Sequence, residues 1–242
     1  TVDLGGKNSY PTRKPEEPEK GRKVAYLMID ALRYELGVQL AKMLSEDGPV
    51  ELQAAYAQLP SITIVGMASL LPGARAELSL ALEKETLLPK LAGVPVGTVV
   101  QRMDVFRKRF GDRFAEMQLN DFVRGKQKVA ETVDLLVLRS TEIDSQLENN
   151  PESTLGLIPG ILKLIRVALH KLRGMGFKEA VIATDHGFFL NAQAEAGDVC
   201  KKPIGAWPFN AHDRMMLGEG SSDGHSLVVA SEKLGIRGDF AQ

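Results

Sequence analysis

The chain has 242 residues, of which 44% are hydrophobic and 25% are charged, so it suits one large globular domain or a domain with a tail. The formal net charge of −1 excludes the strong overall basic field of many nucleic-acid-binding proteins, although a local basic rim or metal ions can still attract phosphate. The single cysteine, Cys200, excludes an intrachain disulfide framework. No apolar run is long enough to span a membrane and no signal peptide is recognisable, so we expect a cytoplasmic protein without a membrane partner.

The two ends of the chain differ from its middle. Residues 1–23 are polar and contain three prolines, which predicts a linker ahead of a domain over residues 24–242. The chain begins without Met, and no terminating element follows Arg237. We therefore expect that the sequence is part of a longer protein and that the domain is truncated at its C-terminus.

The first predicted elements alternate between strand and helix. Residues 24–29 form a continuous apolar run, which is typical of a strand buried on both faces. A helix with one apolar face follows and stops at the Asp-Gly-Pro of residues 47–49. Residues 50–57 favour a second strand, and residues 63–70 favour a short helix that the Leu-Pro-Gly of residues 71–73 closes.

The middle and end of the chain are less regular. Residues 96–100 favour a strand, and residues 102–117 favour a basic amphipathic helix or an insertion. The clearest helix has an apolar face over residues 158–172 and ends at Gly174 and Gly176. Further strands are expected at residues 133–138, 180–184, 215–217 and 227–230.

Strands that alternate with helices predict an α/β fold, with a mainly parallel central sheet and helices on both faces. Ligands of such sheets bind beyond the carboxyl ends of the strands. Asp30, Asp144, Asp185 and His186 each follow a predicted buried strand closely. We therefore expect these side chains to converge at one edge of the sheet.

Carboxylates and an imidazole at one edge suit a divalent cation, because Asp oxygen and His nitrogen are common metal ligands. Clustered carboxylates also repel one another unless a proton or a metal ion neutralises them. Two metal ions ~3.5–4 Å apart would neutralise this charge and hold a phosphoryl group between them. Thr63 suits the nucleophile at the start of the short helix, where unpaired N–H groups favour phosphate. The simpler alternatives are a helix cap for Asp30 or Thr63, and a structural ion pair for Asp185 and His186.

Three segments in this order resemble the PglZ domain, a branch of the alkaline phosphatase superfamily found in BREX phage-defence systems. They are Asp30-Ala-Leu-Arg-Tyr, the stretch from Leu59 to Pro72, and Ala183-Thr-Asp-His-Gly-Phe, and the resemblance covers roughly residues 23–242. It implies an alkaline-phosphatase-like fold with a divalent metal centre. Zinc is the expected ion, with manganese or magnesium as alternatives. The implied ligands of the first ion are Asp30, Thr63, Asp185 and His186, with Thr63 as the nucleophile.

The second metal site of the superfamily is altered in this sequence. The family uses an Asp, a His four residues later and a distant His in a His-Gly-Gly stretch. Here Asp144 matches the Asp, Glu148 stands at the His position, and no His-Gly-Gly is present. Either the sequence ends before the closing His, which we favour, or His212 or His225 replaces it.

The resemblance implies a metal-dependent phosphohydrolase, a phosphodiesterase or nuclease acting with other defence-system proteins on a phosphodiester or nucleic acid. The alternative is a non-catalytic or degenerate interaction module of a defence complex, which the altered second site favours. Arg33 is a candidate phosphate clamp or a surface salt bridge. The basic stretch from Arg102 to Arg113 indicates a solvated helix face, or a surface that steers a polyanion.

Overall fold

The structure is a computed structural model that describes residues 22–149, 151–188, 200–211 and 215–239. Most of the predicted linker, and His212, lie outside these residues, so the division at residue 23 stays a prediction. None of the described helices is both long and apolar enough to cross a membrane.

The described chain alternates between helices and strands, and two short 3-10 turns at Gly111–Arg113 and Ser231–Leu234 interrupt it. The helices are α1 (Tyr34–Leu44), α2 (Thr63–Ser69), α3 (Ala74–Glu77), α4 (Val99–Phe110), α5 (Leu119–Arg124), α6 (Glu142–Asn149) and α7 (Pro151–Gly174). The strands are β1 (Val24–Ile29), β2 (Leu78–Glu83), β3 (Thr86–Leu91), β4 (Val94–Pro95), β5 (Phe114–Gln118), β6 (Leu135–Ser140), β7 (Glu179–Ala183), β8 (Gly205–Ala211), β9 (Met215–Gly220) and β10 (Gly238–Asp239).

The central sheet has four strands in the order β5-β6-β1-β7, and every pair in it is parallel. β1 lies in the middle, with Val24 opposite both Leu135 of β6 and Glu179 of β7. All six residues of β1 are buried, as expected for a parallel strand covered on both faces. The predicted α/β fold with a mainly parallel sheet is therefore confirmed.

The alternation of side chains along β1 divides the core into two layers. Ala25, Leu27 and Ile29 pack in one cluster with α1, α5, α6 and α7. Tyr26 and Met28 point to the opposite face, where they pack with α2 and α4. Burying one such large apolar side chain contributes roughly 1.5–3 kcal/mol, so the two layers fix the sheet and the strand ends that emerge from it.

A smaller sheet with the order β10-β2-β3-β4 and the antiparallel hairpin β8-β9 complete the described fold. Val65 of α2 packs with Leu80 of β2, Leu87 of β3 and Phe209 of β8 in a third apolar cluster. Helix α2 is therefore held between the central sheet and the smaller one, and its first residue is Thr63.

The predicted strands at residues 50–57 and 96–100 are wrong. Residues 50–57 form no regular element, and Leu52 and Tyr56 are exposed, because no neighbouring strand pairs with this segment. Residues 96–100 lead into α4 instead. The Thr98 side chain accepts a hydrogen bond from the backbone N–H of Gln101, and the Gln101 side chain accepts one from the backbone N–H of Thr98. This capping box starts a helix where the apolar run favoured a strand.

The predicted helix over residues 102–117 is also wrong in its second half. α4 ends at Phe110, and the next residue, Gly111, has a φ of 58°, which a glycine adopts at little cost. Residues 114–118 then form β5, an edge strand of the central sheet. Residues 215–217 belong to β9 as predicted, whereas residues 227–230 form no strand.

Candidate metal centre

Asp30 and Asp185 follow adjacent parallel strands. Asp30 comes directly after β1, and its backbone N–H donates to the carbonyl oxygen of Ser140 at the end of β6 (2.8 Å). Asp185 comes two residues after β7, which pairs with β1. Both side chains are buried, with 1% of each residue exposed. The carboxyl ends of the two strands thus bring the two carboxylates to one edge of the sheet.

His186 directs one ring nitrogen at both carboxylates. Its Nδ1–H donates to the carbonyl oxygen of Gly187 (2.8 Å), since a carbonyl can only accept. In that neutral tautomer Nε2 carries a lone pair, and it lies 3.6 Å from Oδ1 of Asp30 and 3.5 Å from Oδ2 of Asp185. A histidine that ligates a metal commonly has its other nitrogen bound to a carbonyl in this way.

Thr63 adds a hydroxyl to the same cluster. It is the first residue of α2, and its Oγ1 lies 3.2 Å from Nε2 of His186. Thr63 is half-buried, whereas Asp30, Asp185 and His186 are buried. Thr63 is thus the most exposed of these four residues.

Backbone contacts hold the loops after β1 and β7 against each other. Oδ1 of Asp185 accepts from the backbone N–H of Ala31 (3.3 Å) and of His186 (2.9 Å). The Thr184 hydroxyl accepts from the N–H of Leu32 (3.0 Å). Ala31 has a φ of 56°, a left-handed conformation that costs a non-glycine residue roughly 1–3 kcal/mol. These contacts fix Asp30 and Asp185 relative to one another.

The two carboxylates each keep one buried oxygen without a partner. Within the described part of the chain, Oδ1 of Asp30 and Oδ2 of Asp185 are the buried side-chain atoms that make no hydrogen bond. Burial, followed by the charges of Asp185 and Asp144, raises the pKa of Asp30 to about 8 against a lowering effect of the Thr63 hydroxyl. Burial also raises the pKa of Asp185. The cluster therefore disfavours negative charge unless a cation compensates it.

These atoms fit a divalent cation. One ligand atom from each of Asp30, Asp185 and His186 lies within 4.8 Å of the others, and no other described residues form such a group of three or more potential ligands. The two carboxylate oxygens that make no hydrogen bond and the imidazole lone pair all face the same space, and Thr63 supplies a fourth ligand atom. Mixed oxygen and nitrogen donors suit zinc, and also manganese.

Gly66 shapes the site, although it is not among the site residues predicted from the sequence. A Cβ at this position would lie 2.7 Å from Cβ of Asp185 and 3.1 Å from its carbonyl oxygen. Only a glycine lets α2 approach the Asp185 loop so closely, and that approach places Thr63 beside His186. The available signal was a glycine inside a short predicted helix, three residues after the candidate nucleophile.

The candidate ligands of a second ion do not join the buried cluster. Asp144 is half-buried in the first turn of α6, and its charge helps to raise the pKa of Asp30. Glu148 is exposed further along the same helix. His225 is exposed, and its backbone N–H donates to Asp223 (3.0 Å). The second site therefore stays a prediction.

Arg33 binds a neighbouring carboxylate in the structure. Its Nε and Nη2 donate to the two oxygens of Glu35 (2.7 Å each), and its guanidinium lies 5.0 Å from the centre of the Phe188 ring. It also adjoins the His186 loop, since a Cβ at Gly187 would lie 3.0 Å from Cβ of Arg33. Arg33 thus forms the surface salt bridge that we considered, and a role in substrate binding stays a prediction.

Arg102 contradicts the solvated helix face predicted for the basic stretch. Only 7% of this residue is exposed, and its Nη1 donates to the carbonyl oxygen of Gly97 (2.7 Å). Arg107, Lys108 and Arg109 on the same helix are exposed, as predicted. The sequence spacing could have predicted this burial, because Arg102, Phe106 and Phe110 are four residues apart and therefore share one helix face.

Comparison with known protein families decides the family of this chain. Residues 13–239 match the model of the BREX system PglZ alkaline phosphatase-like domain. The chain belongs to the PglZ family. Membership in PglZ supports a role in phage defence and the alkaline-phosphatase-like fold described above. Neither the search of curated proteins nor the search of solved structures returned a match.

Proposed function

We propose that this PglZ domain is a metal-dependent phosphohydrolase and that phosphodiesters, including nucleic acid, are its substrates. The observation that carries the proposal is the pair of buried carboxylate oxygens without partners, Oδ1 of Asp30 and Oδ2 of Asp185, which face Nε2 of His186. Neither oxygen accepts a hydrogen bond, and a cation bound between them would offset the cost of burying both charges. The preference for a diester rests on the family resemblance.

In the proposed site, Asp30, Asp185, His186 and Thr63 hold a divalent cation, expected to be zinc, with manganese or magnesium as alternatives. Such an ion supplies Lewis-acid stabilisation of a phosphoryl group and lowers the pKa of an oxygen that it binds. Asp144 and Glu148 are the proposed protein ligands of a second ion. Arg33 is the proposed clamp for a phosphate oxygen, a role that requires it to leave Glu35.

Thr63 is the proposed nucleophile. Its Oγ1 forms a bond to phosphorus as the bond from phosphorus to the leaving oxygen breaks. The hydroxyl proton passes to solvent, and the leaving oxygen takes a proton from solvent and departs as an alcohol. His186 fixes the position of Oγ1 at 3.2 Å from Nε2, while its own ring is held by Gly187. Water then attacks the phosphothreonine, releases the phosphate product and returns the threonine hydroxyl.

An interaction module of a defence complex is the second candidate function. The exposed position of Glu148 and the replacement of a family histidine by this glutamate favour it, because a second metal site would then be incomplete. In either case we propose that the protein works in the cytoplasm with other proteins of the defence system.

The test is turnover of bis-p-nitrophenyl phosphate with zinc, manganese or magnesium, compared between the unaltered protein and Thr63→Ala. We expect Thr63→Ala to lose at least about a thousandfold in kcat while it keeps its fold and its bound metal. Ser61→Ala, which removes a nearby half-buried hydroxyl, is the matched control and should keep its activity. Equal turnover by Thr63→Ala excludes the nucleophile, and absence of turnover with every ion favours the interaction module.

A further inference from the structure

Arg33 packs against the loop that carries two of the candidate metal ligands. A Cβ at Gly187, the residue after His186, would lie 3.0 Å from Cβ and 3.5 Å from Cα of Arg33. The backbone N–H of Ala31, two residues before Arg33, donates to Oδ1 of Asp185 (3.3 Å). These direct contacts place the start of the Arg33 side chain beside the candidate metal centre.

The guanidinium of Arg33 holds a carboxylate in the geometry that it would use for a phosphate. Its Nε and Nη2 donate to the two oxygens of Glu35 (2.7 Å each). The ring of Phe188, two residues after His186, lies 5.0 Å from the guanidinium and keeps it against the same loop. Arginine binds carboxylates and phosphates through the same two parallel N–H donors. Glu35 therefore occupies the donors that a substrate phosphate would need.

Glu35 is a charged and replaceable occupant of these donors. The hydrogen bond from Arg33 lowers the pKa of Glu35 to about 2, so the carboxylate stays ionised at neutral pH. The Glu35 side chain is 61% exposed and the Arg33 side chain 32%. An ion pair that solvent reaches is weak, so another anion can displace Glu35 from the guanidinium.

A displaced Glu35 carboxylate stays close to the anion that replaces it. Glu35 lies in the first turn of α1, only two residues after Arg33, and the helical backbone limits how far its side chain can move away. Its negative charge therefore repels any anion that Arg33 binds, and this repulsion grows with the charge of that anion.

We propose that Glu35 selects substrates by charge, disfavouring phosphate monoesters relative to phosphodiesters. A monoester carries nearly two negative charges above pH ~7, whereas a diester carries one. Both must displace Glu35 from Arg33, but the monoester is repelled about twice as strongly by the displaced carboxylate. This selection rests on the proposed function, because it requires a phosphate ester at the centre, and it gives the diester preference a basis in residues of this chain.

The test is the ratio of kcat/KM for bis-p-nitrophenyl phosphate to kcat/KM for p-nitrophenyl phosphate, measured with zinc at pH ~8, where the monoester is a dianion. The proteins compared are the unaltered chain, Glu35→Gln, Arg33→Gln and the double variant. A change in the fraction of folded or metal-loaded protein alters both values equally, so the ratio reports only discrimination between the two esters. The ratio is thereby insensitive to any loss of the favourable contact between Glu35 and the α1 dipole.

Glu46→Gln is the matched control. Glu46 also accepts from an arginine, since Nη2 of Arg166 lies 3.0 Å from its Oε2, and its side chain is 69% exposed. It follows the opposite end of α1 from Glu35. The variant therefore removes an equivalent surface charge away from the candidate metal centre.

We expect the diester preference of Glu35→Gln to be about fivefold smaller than that of the unaltered protein, the effect of one unit charge at ~4 Å in water. The change should shrink to within about twofold in roughly 1 M salt, because salt screens exposed charges. It should shrink equally in the Arg33→Gln background, because Arg33 brings the anion next to Glu35. Calorimetry should show the same preference without turnover, with zinc-loaded Glu35→Gln gaining about fivefold more affinity for inorganic phosphate than for dimethyl phosphate.

An unchanged ratio in Glu35→Gln, or an equal change in Glu46→Gln, would overturn the selection by Glu35 and leave the phosphohydrolase intact. A full change in the Arg33→Gln background would also overturn it, because Glu35 would then act without the guanidinium. If the unaltered protein turns over neither ester with zinc, manganese or magnesium, the proposed function fails and the selection fails with it. Turnover by the unaltered protein separates these two kinds of failure.

Discussion

Nε2 of His186 lies 3.2 Å from Oγ1 of Thr63, although the two residues are 123 positions apart in the chain. The contact joins the start of α2 to the loop after β7. It depends on the close approach of α2 to Asp185 and on the hydrogen bond that fixes the His186 ring.

Gly66→Ala should separate α2 from the Asp185 loop. The added methyl group would lie 2.7 Å from Cβ of Asp185 and 3.2 Å from its carbonyl carbon, so the backbone of one element must move. Overpacking of this kind costs roughly 1–3 kcal/mol of stability. We expect this loss in urea unfolding, together with weaker zinc binding in calorimetry.

Gly160→Ala is the matched control for that prediction. Gly160 lies in α7, and no atom stands within 4 Å of a Cβ built there. Alanine is favoured over glycine inside a helix by roughly 0.5–1 kcal/mol, so this variant should gain stability and keep its zinc affinity. Equal behaviour of the two variants would show that the space beside Asp185 is not what position 66 requires.

The stability of the metal-free protein should fall as the pH rises. Burial, with the charges of Asp185 and Asp144, raises the pKa of Asp30 from 3.8 to about 8 in the folded chain. Between these values the folded chain holds a proton that the unfolded chain has released, so the free energy of unfolding decreases with pH across this range. Urea unfolding in the presence of a chelator measures it.

Asp30→Asn removes the titrating group, so the metal-free variant should lose this part of the pH dependence. Saturating zinc should reverse the trend in the unaltered protein, because the ion competes with the proton for the same oxygens and binds better as the pH rises. An identical pH profile for Asp30→Asn and the unaltered protein would refute the assignment of the titration to Asp30.

The proposed second ion should depend on Asp144 and Glu148 of α6. At saturating zinc we expect Glu148→Gln and Asp144→Asn to bind one ion fewer per chain than the unaltered protein, while the affinity of the first ion stays within about threefold. The number of ions per chain is measured by elemental analysis after equilibrium dialysis. An unchanged ratio in both variants would remove these residues from the metal centre.

The arrangement of the central sheet was predictable from the sequence because local pattern and tertiary context agree there. The apolar runs in β1 and β6 are long enough to be buried on both faces, and each ends next to a polar stretch. Residues 50–57 also favour a strand locally, but a strand needs a partner to pair with, which a local pattern does not reveal. Gly111 ended the predicted basic helix at a point where composition alone favoured its continuation.

The candidate site was predictable only in part. Strand ends placed Asp30, Asp185 and His186 at one edge, and the structure brings them together with Thr63. The contribution of Gly66 depends on the distance between α2 and the Asp185 loop, and Arg102 is a buried charge that composition assigns to the surface. Such properties arise from packing between elements that are distant in the chain.

The most direct test of the metal centre is zinc content after equilibrium dialysis, measured for the unaltered protein, Asp185→Asn and Asp223→Asn. Asp185→Asn removes the charge with almost no change of shape, while Asp223 lies in an exposed loop and serves as the control. We predict that the unaltered protein and Asp223→Asn retain zinc and that Asp185→Asn, still folded by circular dichroism, loses it. Equal zinc content in all three proteins, or none in the unaltered protein, would contradict a metal centre built on Asp30, Asp185 and His186.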